Sequence, residues 1–397
     1  MFRINMKRKM ITAMIVFIVA VLFLNNAYAA PSISSISGSI ISGESITISG
    51  SDFGAKDNPG PLLWDNFDNG ISGGVVCSIS SGTEPIIHQG NLNTYTRWIM
   101  DGGGAYSSKS ITFNNSTPLR KNSLHARAYI DSRDCWGCNF YVPVGWYNAT
   151  GKELYVSFYL RTIPNGIPRQ SKAFIGYDSS WADTLYFSTA YGSSCEPSTQ
   201  WRQHITSPAS ERYFATTGQG VVGEWIRVEN YLQQSGAGVA NGKFYSYLHR
   251  PTISSPSIGS IERNSVTLRS SATNTTRITL GGAYYDMCNG TQPVHIDVDE
   301  VYVDSTPARV EIGNASTWTS CTLRELQLPT AWSASSVTIR VNQDKFPVGT
   351  TAYLYIVNTD GNVNLSGYPI TIGSGGESSN DTTPPAPPTI ESIIVVP

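Results

Sequence analysis

Apolar residues occupy every second position in three segments of this chain. In 153–161 they run from Leu154 to Leu160, with polar or aromatic residues between them. Because successive side chains of a strand point to opposite faces, this period of two predicts a strand with one face in a core. The segments 123–130 and 243–249 show the same pattern. The alternation predicts an all-β protein.

The composition supports this fold class. The 397 residues include 36 glycines and 22 prolines, and only 14% are charged, which suits short strands joined by tight turns. The length allows two or three domains. A net charge of -2 without a clustered basic surface argues against a nucleic-acid partner.

The first residues have the order of an export signal. Basic residues at 7–9 precede an apolar run from Met10 to Leu24, and small residues stand at Ala27 and Ala29. This order predicts a signal peptide at 1–29 and a secreted, extracellular or cell-surface protein. No later stretch approaches the roughly 20 apolar residues of a membrane helix, so none is expected.

The two ends of the chain look like halves of one small domain. Ile46 and Ile48 alternate with polar residues near the start, and Val310 and Ile312 do so after the middle of the chain. With the run Gly349 to Gly361, these segments resemble the IPT/TIG family of immunoglobulin-like domains. The resemblance implies an immunoglobulin-like sandwich formed by both ends, 31–62 plus 308–373. The tail 374–397 reads as a linker followed by a free end.

The segment 63–307 is then a large insert. Its first and last predicted strands, 63–70 and 294–304, resemble those of jelly-roll domains in the concanavalin-like lectin and lyase group and in carbohydrate-binding modules. The Gly-x-Trp motif at Gly223 to Trp225 resembles a strand common in the concanavalin-like group. The resemblance implies an inserted jelly-roll β-sandwich, which is where function is expected.

The polar faces of the three alternating segments are rich in tyrosine. Aromatic rings stack on the apolar faces of sugar rings, while charged groups bind hydroxyls, so we predict a carbohydrate-binding surface. An ordinary exposed sheet is the alternative, because tyrosine favours strands. The predicted ligand-binding residues are Tyr129, Tyr155, Tyr159, Arg161, Lys243, Tyr245 and Tyr247.

Two other functions remain open beside non-catalytic carbohydrate binding, which is the preferred one. A polysaccharide lyase acting on a polyuronide by β-elimination needs a cation near the uronate carboxylate and a His or Tyr base. Known lyase motifs are not matched, however. The third function is that of a purely structural adhesin or matrix protein. Candidates for the lyase function are His125, Arg127, Arg161, His204, Tyr245 and His249.

Acidic residues at both ends of the insert suggest a structural calcium. Asp65, Asp68 and Asp299 could supply the oxygen ligands that calcium prefers, and related carbohydrate-binding modules often hold calcium there. Solvated turn residues are the alternative.

Six cysteines in an exported chain predict structural disulfides, although their pairing is not readable. The close pair at 135 and 138 also leaves a redox dithiol open. The cysteines are Cys77, Cys135, Cys138, Cys195, Cys288 and Cys321.

Overall fold

A computed structural model describes the protein over defined parts of the chain. The described residues are 29–78, 82–88, 97–98, 110–120, 122–130, 138–141, 152–163, 170–177, 183–189, 201–205, 212–215, 223–249, 259–268, 277–286, 294–343 and 345–373.

The described residues form twenty-four strands. The first two are β1 (Ser32–Ser37) and β2 (Ser45–Ser51). Those of the middle segment are β3 (Leu63–Asp65), β4 (Val75–Cys77), β5 (Ile87–His88), β6 (Ile111–Asn114), β7 (His125–Ile130), β8 (Cys138–Tyr141), β9 (Glu153–Ile163), β10 (Gln170–Tyr177), β11 (Asp183–Thr189), β12 (Trp201–Ile205), β13 (Arg212–Ala215), β14 (Ile226–Gln233), β15 (Gly242–His249), β16 (Gly259–Val266), β17 (Arg277–Asp286) and β18 (Val294–Asp304). The last six are β19 (Arg309–Gly313), β20 (Arg324–Leu326), β21 (Leu328–Trp332), β22 (Ser336–Arg340), β23 (Thr351–Val357) and β24 (Tyr368–Thr371).

The all-β prediction is confirmed. Apart from these strands, the described residues contain one short 3-10 helix, Trp318–Ser320. Within the described part of the chain, no helix has the length and apolar character needed to cross a membrane.

Strands from both chain ends pack together into one unit, here called the frame. One of its sheets has the order β1-β2-β22-β21 and the other the order β20-β19-β23-β24. Ile46 pairs with Ile339 across β2 and β22. Ile46 also shares a buried core cluster with Val310 and Ile312 from the other sheet. The frame core therefore contains residues from before and after the middle segment.

The middle segment, here called the insert, forms two larger sheets. Ten strands make one sheet, with β16-β15-β14-β9-β18-β7-β6-β4 as its main path and β3 joined to β18 and β5. Six strands make the other, in the order β13-β12-β11-β10-β17-β8. Val156, Phe158 and Val228 belong to the apolar cluster on the inner face of the ten-stranded sheet.

The outer face of the ten-stranded sheet is packed against the frame. Tyr155 and Tyr302 of the insert share a buried cluster with Leu326 and Leu328 of the frame. A bulge in β18 shifts its pairing with β9 between Asp299 and Tyr302. Frame and insert are thus joined by packed side chains as well as by the chain itself.

Candidate functional site

The three alternating segments lie in one sheet, as β7, β9 and β15. The register places Tyr155 opposite Tyr231, and Tyr231 opposite Tyr245. The polar face predicted for sugar binding is therefore continuous across these strands. Only part of it is open, however, because the frame covers its centre.

Tyr155 and Tyr159 are buried beneath the frame. The Tyr155 hydroxyl donates to Glu229 at 3.0 Å, and the Arg309 guanidinium lies 4.5 Å from its ring centroid. The Tyr159 hydroxyl donates to Glu325 at 3.3 Å. Both rings are less than 4% exposed. The prediction that these two tyrosines face solvent and bind sugar is wrong, because strands from after the insert pack over them.

Arg161 is also buried, in a charged cluster on the same face. Asp297 accepts hydrogen bonds from Arg161 Nη2 at 2.7 Å and from Arg127 Nε at 2.6 Å. His125 Nε2 lies 3.4 Å from the same carboxylate, and the Arg161 guanidinium stacks over Trp225. Burial alone raises the pKa of Asp297, but its hydrogen bonds to Arg127 and His125 reverse this and hold that pKa well below its usual range.

This cluster makes Arg161 a poor ligand-binding residue. His125 is fully buried and Arg161 almost so, and both are engaged with Asp297. Contacts with Asp297 therefore link strands β7, β9 and β18. They involve three of the residues considered for a lyase: His125, Arg127 and Arg161.

The remaining candidates divide into three groups. Tyr245, Tyr247 and His249 lie together on β15, where Lys243 is exposed. His204 lies on β12 of the other sheet, in register with Tyr186 and Arg212. Tyr129 is on β7, but its side chain lies outside the described residues, as does that of His204.

An open cleft lies where β15 meets the frame, and we call it the junction cleft. Its volume is about 350 Å³. The insert supplies Glu229, Tyr245, Tyr247 and His249. The frame supplies Arg309, Trp318, Thr319, Cys321, Arg324, Val357, Gly361 and Val363. This is the size and mixed character of a pocket for a sugar-sized ligand.

The wall of the junction cleft is a network of arginines and glutamates. Glu229 contacts Arg309 at 3.2 Å and Arg324 at 3.1 Å. Behind it, Glu311 pairs with Arg309 at 2.6 Å and Arg227 at 2.9 Å. The network as described contains three guanidinium groups and two carboxylates, so its formal charge is +1.

These contacts lower the pKa of both glutamates. Burial raises the pKa of Glu229, but Arg227, His249 and the other arginines outweigh it and hold that pKa well below its usual range. Burial also raises the pKa of Glu311, but Arg227 and Arg309 outweigh this effect, and the pKa falls to about 2. Both carboxylates are therefore ionised at neutral pH.

His249 sits beside this network as a neutral imidazole. Its Nε2 lies 2.9 Å from Glu229 Oε1 and 3.1 Å from Arg324 Nη2. Burial and the neighbouring Arg324 lower the pKa of His249, although Glu229 acts in the opposite sense. Because Glu229 is ionised, Nε2 carries the imidazole hydrogen and donates it to that carboxylate, so Nδ1 is the ring nitrogen that can accept a proton.

Aromatic rings line both sides of the junction cleft. On the insert side, Tyr231, Tyr245 and Tyr247 form a row with centroid separations of 4.9 and 5.0 Å. On the frame side, Trp318 stacks with the Arg324 guanidinium at 3.7 Å. Flat rings beside charged hydrogen-bond donors are the elements of sugar recognition.

The frame half of this site was not predicted from sequence. Arg309, Trp318 and Arg324 lie in the segment assigned to the frame, and nothing in their local pattern shows that they reach the insert. Glu229 could have been found, because Ile226, Val228 and Leu232 alternate along β14 and leave it on the opposite, polar face.

The acidic ends of the insert hold an arginine where calcium was considered. Arg120 contacts Asp68 at 3.0 Å, Asp299 at 3.8 Å and Glu300 at 3.2 Å. In the described ranges no three His, Cys, Asp or Glu residues form a group that could hold a metal. The guanidinium supplies the positive charge that a calcium ion was expected to supply.

Asp65, the third proposed calcium ligand, has its own partners. It accepts hydrogen bonds from Trp98 Nε1 at 2.8 Å and from the Phe67 amide at 2.9 Å. Burial raises the pKa of Asp65 to about 7, against these two hydrogen bonds. Its role is to hold the loop after β3.

The cysteines do not all form disulfides. Cys321 is a buried free thiol in the wall of the junction cleft, so its assignment to a disulfide is wrong. Burial raises the pKa of this thiol. Cys77 is disulfide-bonded. The side chains of Cys135, Cys138, Cys195 and Cys288 lie outside the described residues.

Comparisons with known proteins place no family name on the chain. No protein-family model matches it, and no curated protein does. Similar solved structures include a glucuronan lyase from the fungus Trichoderma reesei, 14% identical over 55% of this chain and 93% of that one, with a TM-score of 0.37. An alginate lyase from Aplysia kurodai is 10% identical over 49% and 87%, with a TM-score of 0.35. An alginate lyase from a Chlorella virus is 12% identical over 50% and 89%, with a TM-score of 0.34.

Proposed function

We propose that the protein is an exported polysaccharide-recognition protein whose junction cleft binds an acidic sugar, a uronate within a longer chain. The frame, which we infer from its sequence resemblance to be an IPT/TIG-like domain, supplies the cationic half of the site. The insert, inferred to be a jelly roll, supplies the tyrosines. The proposed mode is binding without catalysis.

The observation that carries this proposal is the excess positive charge in the cleft wall. Arg227, Arg309 and Arg324 face only Glu229 and Glu311 in the network, and His249 stays neutral beside them. An incoming carboxylate would balance the remaining charge. Arginine suits this role, since its planar fork binds carboxylates with two parallel hydrogen bonds.

Arg324 is the best placed of the three to meet a ligand. Its side chain is 10% exposed, against 5% for Arg309 and 3% for Arg227. It stacks on Trp318 at the cleft wall, so its orientation is already restricted before a ligand arrives. A preordered group loses little entropy on binding.

Tyr245 and Tyr247 supply a surface for the sugar ring. Both are partly exposed at the cleft and lie opposite the arginines. Glu262, the nearest acid on the outer strand β16, is exposed, so solvent screens its repulsion of an anionic ligand. A uronate could then place its ring on the tyrosines and its carboxylate on Arg324.

Affinity electrophoresis through gels containing neutral or uronate-rich polysaccharides tests this function. We expect retardation by at least one uronate polymer, and clearly weaker retardation after Arg324→Gln. Migration unaffected by every acidic and neutral polysaccharide would contradict the proposal and favour a purely structural adhesin.

A second candidate function, polyuronide lyase, rests on the Glu229–His249 contact. A neutral His249 could remove the proton next to the uronate carboxylate while Arg324 stabilises the resulting charge. The test is the ultraviolet absorbance of the new carbon–carbon double bond in polymers that bind. No increase with any polyuronide that binds would exclude this function and leave binding intact.

A further inference from the structure

Lys56 and Asp304 meet where the chain passes between the frame and the insert. Lys56 Nζ lies 2.6 Å from Asp304 Oδ2, and both side chains are only 1% exposed. Lys56 belongs to the segment between β2 and β3, and Asp304 is the last residue of β18. The contact therefore joins the segment that enters the insert to the strand that leaves it.

The surroundings of this pair are aromatic and closed to solvent. The Trp332 ring centroid lies 5.1 Å from Lys56 Nζ. The Tyr302 hydroxyl donates to Asp304 Oδ2 at 3.0 Å, and Lys56 Nζ also donates to the Ala308 carbonyl at 3.3 Å. A pair of opposite charges is costly to hold in such a site, because neither ion is solvated by water.

Burial changes the pKa of the Asp304 carboxyl group. Desolvation raises the pKa of Asp304, although Lys56 and Tyr302 act to lower it. Amide formation requires a proton to pass from the ammonium to the carboxylate, which leaves an amine and a carboxylic acid, and a raised carboxyl pKa acts in that direction. An amine next to an acid carbon, with water excluded, is the starting arrangement for amide formation.

We infer that Lys56 and Asp304 become joined by an isopeptide bond. Lys56 Nζ attacks Asp304 Cγ, and the new N–C bond forms as one Cγ–O bond breaks. The departing oxygen takes a proton from the nitrogen and leaves as water, so no oxidant, reductant or other reactant is required. Tyr302 is hydrogen-bonded to the same carboxyl and can stabilise the negative charge that develops on its oxygen.

The bond would close the insert into a covalent ring. The two residues are 248 positions apart, so the link would join the two chain segments that connect the insert to the frame. A cross-link of this kind restricts the unfolded chain, as a disulfide closing a long loop does. When the chain is pulled from its ends, the force would pass through this link and bypass the insert.

Intact mass spectrometry of the mature protein with reduced thiols tests this inference. We expect a mass lower than the sequence mass by one water molecule. A protease digest should contain a branched peptide joining the Lys56 and Asp304 segments. Lys56→Met and Asp304→Ala should each restore the full sequence mass.

The pair Lys345 and Glu325 provides a matched control, because it has a similar contact distance of 2.7 Å but a partly exposed lysine. Lys345→Met should keep the one-water deficit. A wild-type mass equal to that of the sequence, with the two peptides recovered separately, would show an ordinary ion pair and overturn the inference. This result needs no variant to fold.

Discussion

The Arg324 guanidinium lies 3.7 Å from the centroid of the Trp318 ring and, at the same time, 3.1 Å from Glu229 Oε1. Trp318 and Arg324 come from the frame, whereas Glu229 comes from the insert. The stack and the ion pair together fix the guanidinium at the wall of the junction cleft. The site is therefore complete only when frame and insert are assembled.

Replacing Arg324 with glutamine should weaken binding of a uronate polymer by about tenfold or more, the cost of losing a charge-assisted hydrogen bond. Arg324→Lys should restore only part of the affinity, because an ammonium keeps the charge but not the planar fork or the stack. Isothermal titration calorimetry measures both. Arg340→Gln, at an exposed arginine on β22, is the control and should bind like the wild type. Equal loss in the Arg340 variant would point to non-specific charge attraction.

Substitutions at Tyr247 and Tyr155 should affect different properties, binding at Tyr247 and stability at Tyr155. Tyr247→Ala should reduce binding with little effect on unfolding, because the ring is partly exposed at the cleft. Tyr155→Ala should lower the free energy of unfolding by about 3–5 kcal/mol, since it removes a fully buried ring. Urea denaturation and calorimetry of both variants check this. A stable Tyr155 variant that had lost binding would reverse the assignment.

Acid should destabilise the protein partly through Glu311. Its pKa is about 2 in the folded protein, below the ordinary value of 4.5, so its stabilising effect is present above pH 4.5. That effect is lost as the pH falls from about 4.5 towards 2. Glu311→Gln should cost about 3–5 kcal/mol at neutral pH, because it leaves buried arginines unpaired. The difference from wild type should shrink over this pH range.

Urea denaturation at a series of pH values measures this difference. Glu44→Gln, which removes one carboxylate at an exposed position, is the control for the change in net charge alone. A Glu311→Gln difference that stayed constant from neutral pH to pH 2 would contradict the assigned contacts.

Excision of the insert should leave a frame that folds only weakly. The frame has its own core around Ile46 and Val310, but Leu326 and Leu328 are buried against Tyr155 and Tyr302 of the insert. Removing the insert exposes these leucines, so we expect aggregation of the excised frame. Leu326→Thr with Leu328→Thr should make it soluble, as measured by size-exclusion chromatography and thermal unfolding. An excised frame that is soluble and stable without these changes would contradict the packing.

Local patterns predicted the strands well and their surroundings poorly. The alternation around Leu154 and Phe158 correctly predicted β9 and its inner face, because period two is a property of the local chain. The outer face was expected to be wet, yet Tyr155 is buried by residues more than 150 positions later in the sequence. No local pattern encodes that contact.

The same limit applied to the charged residues. The alternating pattern predicts Arg161 as a ligand-binding group, but its buried partner Asp297 lies opposite it on β18, far away in the sequence. Arg120 gave no sign that it would occupy the acidic end of the insert. Tyr245, Tyr247 and His249 could be named as candidates from sequence because one short strand presents all three on the same face.

The most direct test of the account compares one ligand with its uncharged counterpart. A uronate polymer that binds in electrophoresis is chemically reduced at its carboxyl groups, which leaves the sugar chain otherwise unchanged, and both are titrated into the wild-type protein by calorimetry. We predict binding of the acidic polymer that weakens with added salt, and about tenfold or more weaker binding of the reduced one. Equal affinity for the two polymers would contradict carboxylate recognition by the junction cleft.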